Sequence, residues 1–275
     1  MGFHPVVQAT FDWLVDGAPL DYADLAGLRA QGFTDSHLAA LAHVVRPLAR
    51  VGETFALMRT AVNLLNTYVG NDAGDRILKG QLQRGDTQNI ACVIWFSDLR
   101  GFTRLSGERT PTEIITVLNE FFDCQVPAIE KHGGQVLKFI GDGLLAIFPI
   151  TDRRSVKDAG EAALAASREA MTALSTLNEV RAGRGEAPLA FGVALHVGDV
   201  AYGNIGGAGR LDFTAIGPAV NLASRIEGLT GKLGKPVLLS GALAQTLPRP
   251  GARLGAFELK GVTGHVDVYE PNSAD

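Results

Sequence analysis

The sequence contains only two cysteines, Cys92 and Cys124, among 275 residues. Each lies in an apolar run, one strand-like and one helix-like, so we expect buried, reduced thiols rather than a disulfide or a metal site. No apolar run approaches the ~20 residues that a membrane-spanning helix requires. The first residues also lack the charged and apolar segments of a secretory signal. We therefore expect a soluble, cytoplasmic protein.

Basic charge is scarce as well, because 25 lysine and arginine residues are outnumbered by 29 acids, which gives a net charge of −4. No lysine or arginine cluster stands out, and this argues against a nucleic-acid partner. The phosphate-binding Walker A motif is absent, since Gly231-Lys232 is followed by leucine and the upstream glycine spacing is wrong. Hydrophobic residues make up 46% of the chain, enough for one large domain with a smaller module or for two small domains.

The N-terminal part divides into two segments of different character. Residues 1–35 contain turn formers and little periodicity, and we expect them to be a fragment of a regulatory module. Residues 36–87 are predicted to form a helical linker, in which Pro47 and Gly52 kink or break the first half. Apolar residues recur along this linker in steps of mostly three and four: Leu38, Leu41, Val45, Leu48, Val51, Phe55, Met58, Val62, Leu65 and Val69.

This apolar seam is cleanest over Phe55–Val69 and has two interpretations. It either pairs with the same helix of a second copy as a short coiled coil, or it belongs to an amphipathic helix that lies on the protein's own core. The clean part covers only two heptads, so both interpretations stay open.

Strand-like and helix-like segments alternate from about residue 88 to residue 272. In chain order they are a strand at Ile90–Phe96, a helix from Thr110 to about His132 bent by Pro127, a hairpin of Gln135–Ile140 and Leu144–Phe148, a helix from Ser155 to about Arg181, a second hairpin of Leu189–Val197 and Val200–Ile205 around Gly198-Asp199, a helix from Gly217-Pro218 to about Leu229, and strands at Pro236–Ser240 and around Phe257–Tyr269. The opening order β-α-β-β-α-β predicts an α+β fold: a ferredoxin-like core with extra C-terminal strands and a helix, preceded by the helical N-terminal segment.

Two aspartates stand where apolar, strand-like runs end. Asp98 ends the first run, and Asp142 lies between two glycines at the tip of the first hairpin. A strand and an antiparallel return through one helix can bring both carboxylates together, where they would hold divalent cations against a phosphate. Alternatively, each is an ordinary turn residue. Lys138, in the same hairpin, is either an edge-strand charge or a residue that faces a ligand.

Two further segments carry groups that suit a nucleotide. The chain turns at Gly101, so the backbone N–H groups of Phe102 and Thr103 are candidates to bind a polyphosphate. Asn221 and Arg225 lie four positions apart on one face of a predicted helix. An amide and a guanidinium suit a sugar oxygen and a phosphate, although a solvated helix face would have the same pattern.

Taken together, these segments resemble the class III nucleotidyl cyclase catalytic domain, the adenylate and guanylate cyclase family, over about residues 88–272. The motifs that carry the resemblance occur in order along the chain: Phe96–Thr103, Lys138–Gly143, Phe191–Gly198, Phe213–Gly217 and Val220–Arg225. A chance match to several ordered motifs is very improbable. The resemblance therefore argues against all of the alternatives above in which a residue has only a structural role.

The resemblance implies roles for the candidate residues. Asp98 and Asp142, with the Leu99 carbonyl, would bind two Mg²⁺ or Mn²⁺ ions, and Lys138 and Thr214 would read the purine base.

For the rest of the nucleotide, the resemblance implies that Asn221 orients the ribose and Arg225 stabilises the transition state at the α-phosphate. Lys260 stands where the family places a triphosphate-binding lysine, and Arg210 is a weaker phosphate candidate.

The implied reaction converts ATP to 3′,5′-cyclic AMP and pyrophosphate, for intracellular signalling. Lys138 and Thr214 suit adenine, whereas guanylate cyclases of this family usually carry an acid and a small residue at these positions. Thr214 departs from the aspartate of many animal adenylate cyclases. Pro218 departs from a more usual asparagine or aspartate, although proline suits the first turn of a helix.

Family members place their active sites at a head-to-tail dimer interface, and this chain carries both sets of residues, so the resemblance implies a symmetric homodimer. The alternatives are a guanylate cyclase or a non-catalytic nucleotide-binding signalling domain. A dinucleotide cyclase lacks support, because its Gly-Gly-Asp/Glu-Glu-Phe turn is absent.

Overall fold

A computed structural model of the chain describes residues 35–80, 83, 85, 87–207 and 210–272. Residues 1–34, and with them nearly all of the expected N-terminal module, lie outside the described residues. The chain divides into two compact units, Met1–Leu64 and Leu65–Asp275. None of the described helices has the length and apolarity needed to cross a lipid bilayer.

Helix α1 spans Asp35–Val69 without interruption, so the expected break at Pro47 or Gly52 does not occur. A proline inside a helix removes one backbone hydrogen bond, and the helix continues on both sides of it. Hydroxyls of Thr54 and Thr60 donate to the carbonyls one turn earlier, at 2.9 and 3.0 Å. Along the described part of the apolar seam, Phe55 is 68% exposed and Met58 is 59% exposed.

The remaining elements follow in chain order: α2 (Asn71–Leu78), β1 (Thr87–Leu99), α3 (Phe102–Glu108), α4 (Pro111–Asp123), α5 (Val126–Lys131), β2 (Gln135–Ile140), β3 (Gly143–Pro149), α6 (Val156–Gly183), β4 (Phe191–Gly207), β5 (Arg210–Ile216), α7 (Pro218–Leu233), β6 (Val237–Ser240), α8 (Gly241–Ala244), β7 (Ala252–Glu258) and β8 (His265–Glu270). They form one sheet in the order β2-β3-β1-β4-β6-β8-β7, with β5 paired to β4. The β2-β3-β1-β4 part, with its crossover helices, is the ferredoxin-like core. The predicted α+β fold is therefore confirmed.

Strand β1 lies at the centre of this core and pairs antiparallel with both β3 and β4. Its residues Cys92 to Trp95 are fully buried because helices cover both faces of the sheet. One face packs against α4, α5 and α6, and the other against α2 and α7. Both cysteines are buried free thiols, as expected.

The expected hairpin turn at Gly198-Asp199 is wrong. Strand β4 continues straight through these residues because β1 pairs with it without interruption from Thr87 to Leu99. Strand β4 extends to Gly207, and β5, which begins at Arg210, pairs antiparallel with it. Gly198 marks a close approach instead, since a methyl group there would lie 2.6 Å from Cβ of Ala219 in α7.

The expected single helix from Thr110 to His132 is two helices. Thr110 caps α4 with Glu113 in a capping box, as predicted, but α4 ends at Asp123. Gln125, between the helices, is fully buried: its amide donates to the Phe121 carbonyl at 3.3 Å and its carbonyl accepts from the Ser97 hydroxyl at 2.6 Å. This inserted side chain, together with the missing N–H of the following proline, separates the helices rather than bending one.

Candidate functional site

The fold brings the two predicted acids together at one end of the central strands. Asp98 is the penultimate residue of β1 and pairs in register with Gly143, the first residue of β3. Asp142 occupies the turn immediately before Gly143, and its carbonyl accepts a hydrogen bond from the Leu99 N–H at 3.2 Å. The short β2–β3 connection therefore holds the second acid against the end of β1.

The two carboxyl groups interact strongly. The pKa of Asp98 is raised to about 6, first by burial and then by the charge of Asp142 and a hydrogen bond between the two side chains, whereas a hydrogen bond from the Leu99 N–H opposes the rise. Crowded carboxyls of this kind are relieved by a cation placed between them. Mg²⁺ and Mn²⁺ prefer such oxygen donors. Across the described part of the chain, no group of three or more His, Cys, Asp or Glu side chains could hold a metal ion. The two carboxyls are chemically suited to a divalent cation that keeps further coordination positions for phosphate oxygens.

The turn after Asp98 opens toward the same end of the sheet. Gly101 adopts a left-handed conformation with φ of 75°, which favours glycine. Helix α3 begins at Phe102, which is half-buried against the core, and continues with the exposed Thr103. The N–H groups of Phe102 and Thr103 have no partners within the helix because they lie in its first turn, so they remain candidates for binding a polyphosphate.

The predicted base-reading residues lie on strands β2 and β5. Lys138 forms an ion pair with Asp212. Thr214 stands two positions beyond Asp212, on the same face of β5, and is 9% exposed. Lys138 and Asp212 also border a cavity of about 400 Å³ that residues Asn66–Gly70 help to line. Sequence reasoning missed Asp212, because the hairpin error left residues 210–212 outside any predicted strand.

The remaining candidates lie on α7, at the start of β5 and in the turn after β7. Asn221 and Arg225 both lie on the exposed face of α7, as their spacing predicts. Neither side chain forms a hydrogen bond or ion pair with Asp98 or Asp142 among the described residues. Lys260 is exposed in the turn after β7.

Arg210 is the first residue of β5 and pairs with Gly207, but its side chain lies outside the described residues. One chain therefore brings together the acid pair and, separately, Lys138 with Asp212. Among the described residues, no hydrogen bond or ion pair joins Asn221 or Arg225 to either pair.

A second residue that sequence reasoning missed is Glu227 on the buried face of α7. It is 9% exposed and accepts a hydrogen bond from the Thr230 hydroxyl at 3.1 Å. The pKa of Glu227 is raised to about 7, mainly by burial and also by repulsion from Asp98 and Asp142, whereas the Thr230 hydrogen bond and attraction from Arg100 oppose the rise. The signal in the sequence was an acid at an apolar position of an amphipathic helix.

Comparison with known proteins gives a consistent match over this part of the chain. Residues 85–269 match the model of the adenylate and guanylate cyclase catalytic domain. An adenylate cyclase of Anabaena cylindrica is 35% identical over 91% of this chain. The match covers 52% of that relative, so the chain spans about half of its length.

Solved structures agree on the fold. A bacterial light-regulated adenylyl cyclase superposes with a TM-score of 0.68 at 26% identity, covering 81% of this chain and 64% of that one. The guanylyl cyclase Cya2 superposes with a TM-score of 0.59 at 31% identity, covering 67% and 93% of the two chains. With the acid pair, the ferredoxin-like core and the match of residues 85–269, the chain belongs to the adenylate and guanylate cyclase catalytic domain family.

Proposed function

We propose that the chain is an adenylate cyclase that converts ATP to 3′,5′-cyclic AMP and pyrophosphate. The observation that carries the proposal is the pairing of the Asp98 and Asp142 carboxyls beside the open turn at Gly101. In the reaction, the ribose 3′-oxygen forms a bond to the α-phosphorus and loses its proton. The bond to the β-phosphate oxygen breaks, and pyrophosphate leaves with the electron pair. No protein nucleophile is required.

In this proposal, Asp98, Asp142 and the Leu99 carbonyl hold two divalent cations. When bound, such cations would supply Lewis acidity that makes the 3′-hydroxyl easier to deprotonate and would offset charge on the triphosphate. The N–H groups of Phe102 and Thr103 bind the polyphosphate.

The other residues act on the rest of the nucleotide. Asn221 orients the ribose, and Arg225 stabilises the charge that develops around the α-phosphorus. Lys260 binds the triphosphate, and Arg210 is a further phosphate candidate.

The preference for ATP rests on Lys138 and Thr214. A lysine N–H donates to the adenine N1 acceptor, and the threonine oxygen accepts from the adenine N6 amine. The Asp212 ion pair supports this role, because it holds the lysine ammonium at the β5 strand that carries Thr214. Guanine presents a donor at N1, which this arrangement disfavours. Likeness to a guanylyl cyclase structure at 31% identity nevertheless makes GTP the alternative substrate to test.

A symmetric head-to-tail homodimer is part of the proposal. Among the described residues, Asn221 and Arg225 form no hydrogen bond or ion pair with the acid pair. Two copies related by a two-fold axis would join the acids of each copy to the α7 residues of the other, giving two equivalent sites. Exposed apolar side chains near the β2–β3 turn and on β5, namely Phe139, Ile140, Leu211 and Ile216, are available to such an interface.

The direct test is product formation from ATP and, separately, from GTP in the presence of Mn²⁺. We expect cyclic AMP from ATP and little product from GTP, measured by chromatography of the reaction mixture. Product from GTP at an equal rate would make the enzyme a guanylate or dual-specificity cyclase. A folded dimer that binds nucleotide but forms neither product would leave the non-catalytic signalling domain as the function.

Base selection is tested by reversing the charge at Lys138. The Lys138→Glu variant is expected to lose at least about tenfold in kcat/KM for ATP, because the adenine acceptor then faces a carboxylate. The exposed Lys157 on α6 offers a matched control, and Lys157→Glu should retain wild-type kinetics. Unchanged ATP kinetics in Lys138→Glu would mean that the base is read elsewhere.

We also propose a role for the N-terminal part of the chain. Residues 1–35 belong to a regulatory module, and residues 36–87 link this module to a catalytic domain at residues 88–272. Helix α1 of the linker pairs with the same helix of a second copy. The exposure of Phe55 and Met58 supports pairing. A chain shortened to begin at residue 88 should then dimerise more weakly and lose specific activity on dilution, measured by light scattering and cyclic AMP assay. Equal activity of the two chains at every concentration would contradict a pairing role.

A further inference from the structure

Glu227 is an acid in an apolar setting. It lies among Ala223, Ile226 and Leu229 on the buried face of α7, and its hydrogen-bond donor is the Thr230 hydroxyl. Among the described residues, Glu227 forms no ion pair. A buried carboxylate without a basic partner destabilises the folded state. Packing alone therefore gives no reason for an acid at this position.

The Glu227 carboxyl lies beside the strand position that pairs with Asp98. Gly192 of β4 is in register with Asp98 of β1. A methyl group at position 192 would come within 2.5 Å of Glu227 Oε1 and would also collide with the Thr230 hydroxyl. Gly192 therefore leaves the space that the carboxyl occupies. Directly paired residues of antiparallel strands project to the same face of the sheet, so Asp98 and Glu227 share one face.

The three acids interact through their charges. Asp98 and Asp142 both repel the Glu227 carboxyl, and Arg100 attracts it. The Arg100 guanidinium is exposed and donates to the Lys235 carbonyl at 3.0 Å, so solvent screens its attraction. The carboxyls of Asp98, Asp142 and Glu227 therefore lie close enough to repel one another, and the exposed Arg100 guanidinium offsets only part of this repulsion. A divalent cation at Asp98 and Asp142 would offset this negative potential.

We propose that Glu227 is a positioning residue of the cation site, whose buried charge strengthens divalent-cation binding by Asp98 and Asp142 without itself being a ligand. This inference rests on the proposed metal site. The carboxyl is not counted as a ligand, because the described residues contain no group of three acids placed to share an ion. Mutation of residues that surround the metal ligands, without binding the metal themselves, commonly changes metal affinity by about 10- to 100-fold.

The test compares two variants of the full chain. Glu227→Gln keeps the shape and the Thr230 hydrogen bond but removes the charge, whereas Glu227→Asp keeps the charge and shortens the side chain. Mn²⁺ is titrated into the protein without nucleotide at about pH 8, so that the Glu227 carboxyl is ionised. The concentration of free Mn²⁺ is followed by electron paramagnetic resonance. Thermal melts with and without Mn²⁺ give an independent readout. Asp98→Ala serves as the control for the site itself.

We expect Glu227→Gln to weaken Mn²⁺ binding about tenfold and to shrink the Mn²⁺-induced rise in melting temperature, with a metal-free melting temperature at or above that of the wild type. Glu227→Asp should stay within about threefold of wild-type affinity. A Glu227→Gln variant with unchanged Mn²⁺ affinity, or equal weakening in both variants, would overturn the charge role. Absence of Mn²⁺ binding in the wild type, or binding that survives Asp98→Ala, would instead overturn the proposed metal site.

Discussion

Cyclic AMP formation is expected to fall by about a thousandfold or more when Asp98 is replaced by alanine. In the proposed mechanism this carboxylate would help to hold the divalent cations, so its loss would remove several kcal/mol of transition-state stabilisation. The fold should survive, since Asp98 is crowded by Asp142 and its carboxyl is partly desolvated. The measurement is turnover by chromatography, together with a thermal melt of the same sample.

The matched control for this change is Asp152→Ala, which removes an exposed acid from the loop after β3. It should leave both turnover and melting temperature at wild-type values. Asp142→Ala should behave as Asp98→Ala does, because the two carboxyls form one donor set. Turnover that persists in a folded Asp98→Ala protein would remove the acid pair from the mechanism.

The second large effect is expected at Arg225. Arg225→Ala should lower kcat by about a hundredfold or more and change KM only a few-fold, because its contact strengthens as charge develops at the α-phosphate. The side chain is exposed and unpaired within the described residues of one chain, so stability should not change. Arg168→Ala, on the exposed face of α6, is the control. An unchanged kcat would show that Arg225 takes no part.

Mixing the two inactive variants tests where Arg225 acts. In a head-to-tail dimer of one Asp98→Ala copy and one Arg225→Ala copy, one of the two sites contains only intact residues. Random pairing makes half of the dimers mixed, so an equimolar mixture should recover about a quarter of wild-type activity. No recovery, with subunit exchange demonstrated by mass spectrometry of labelled copies, would place both residues in a site within one chain.

Local sequence pattern was sufficient where neighbouring residues determine the structure. The acids at the ends of apolar runs, the Thr110 capping box and the α7 spacing of Asn221 and Arg225 all depend on residues within one or two turns of each other. The fold class followed from the order of such elements. These features were predicted correctly because local hydrogen bonding and side-chain periodicity determine them.

The same reasoning failed where a distant segment decides the conformation. The dipeptide Gly198-Asp199 is typical of a turn, yet pairing with β1 keeps β4 extended at these residues. Gln125 separates α4 from α5 because it is held by Ser97, which belongs to another element. In both cases contacts with a distant segment outweighed the local conformational preference of the residues. The hydrogen bonds and the burial gained from those contacts contribute more free energy than the local preference does.

The sequence by itself determined the family, through several motifs in order along the chain, and the ferredoxin-like order of elements. It also placed each acid at the end of an apolar run, because such runs and the residues that end them are local features. Only the tertiary structure revealed Asp212 beside Lys138 and Glu227 beside the strand of Asp98. These contacts join residues far apart in sequence, and they exist only because the sheet places β2 near β5 and packs α7 on β4. The electrostatic interaction and the burial of these side chains depend on distances in three dimensions. Spacing along the sequence does not give those distances.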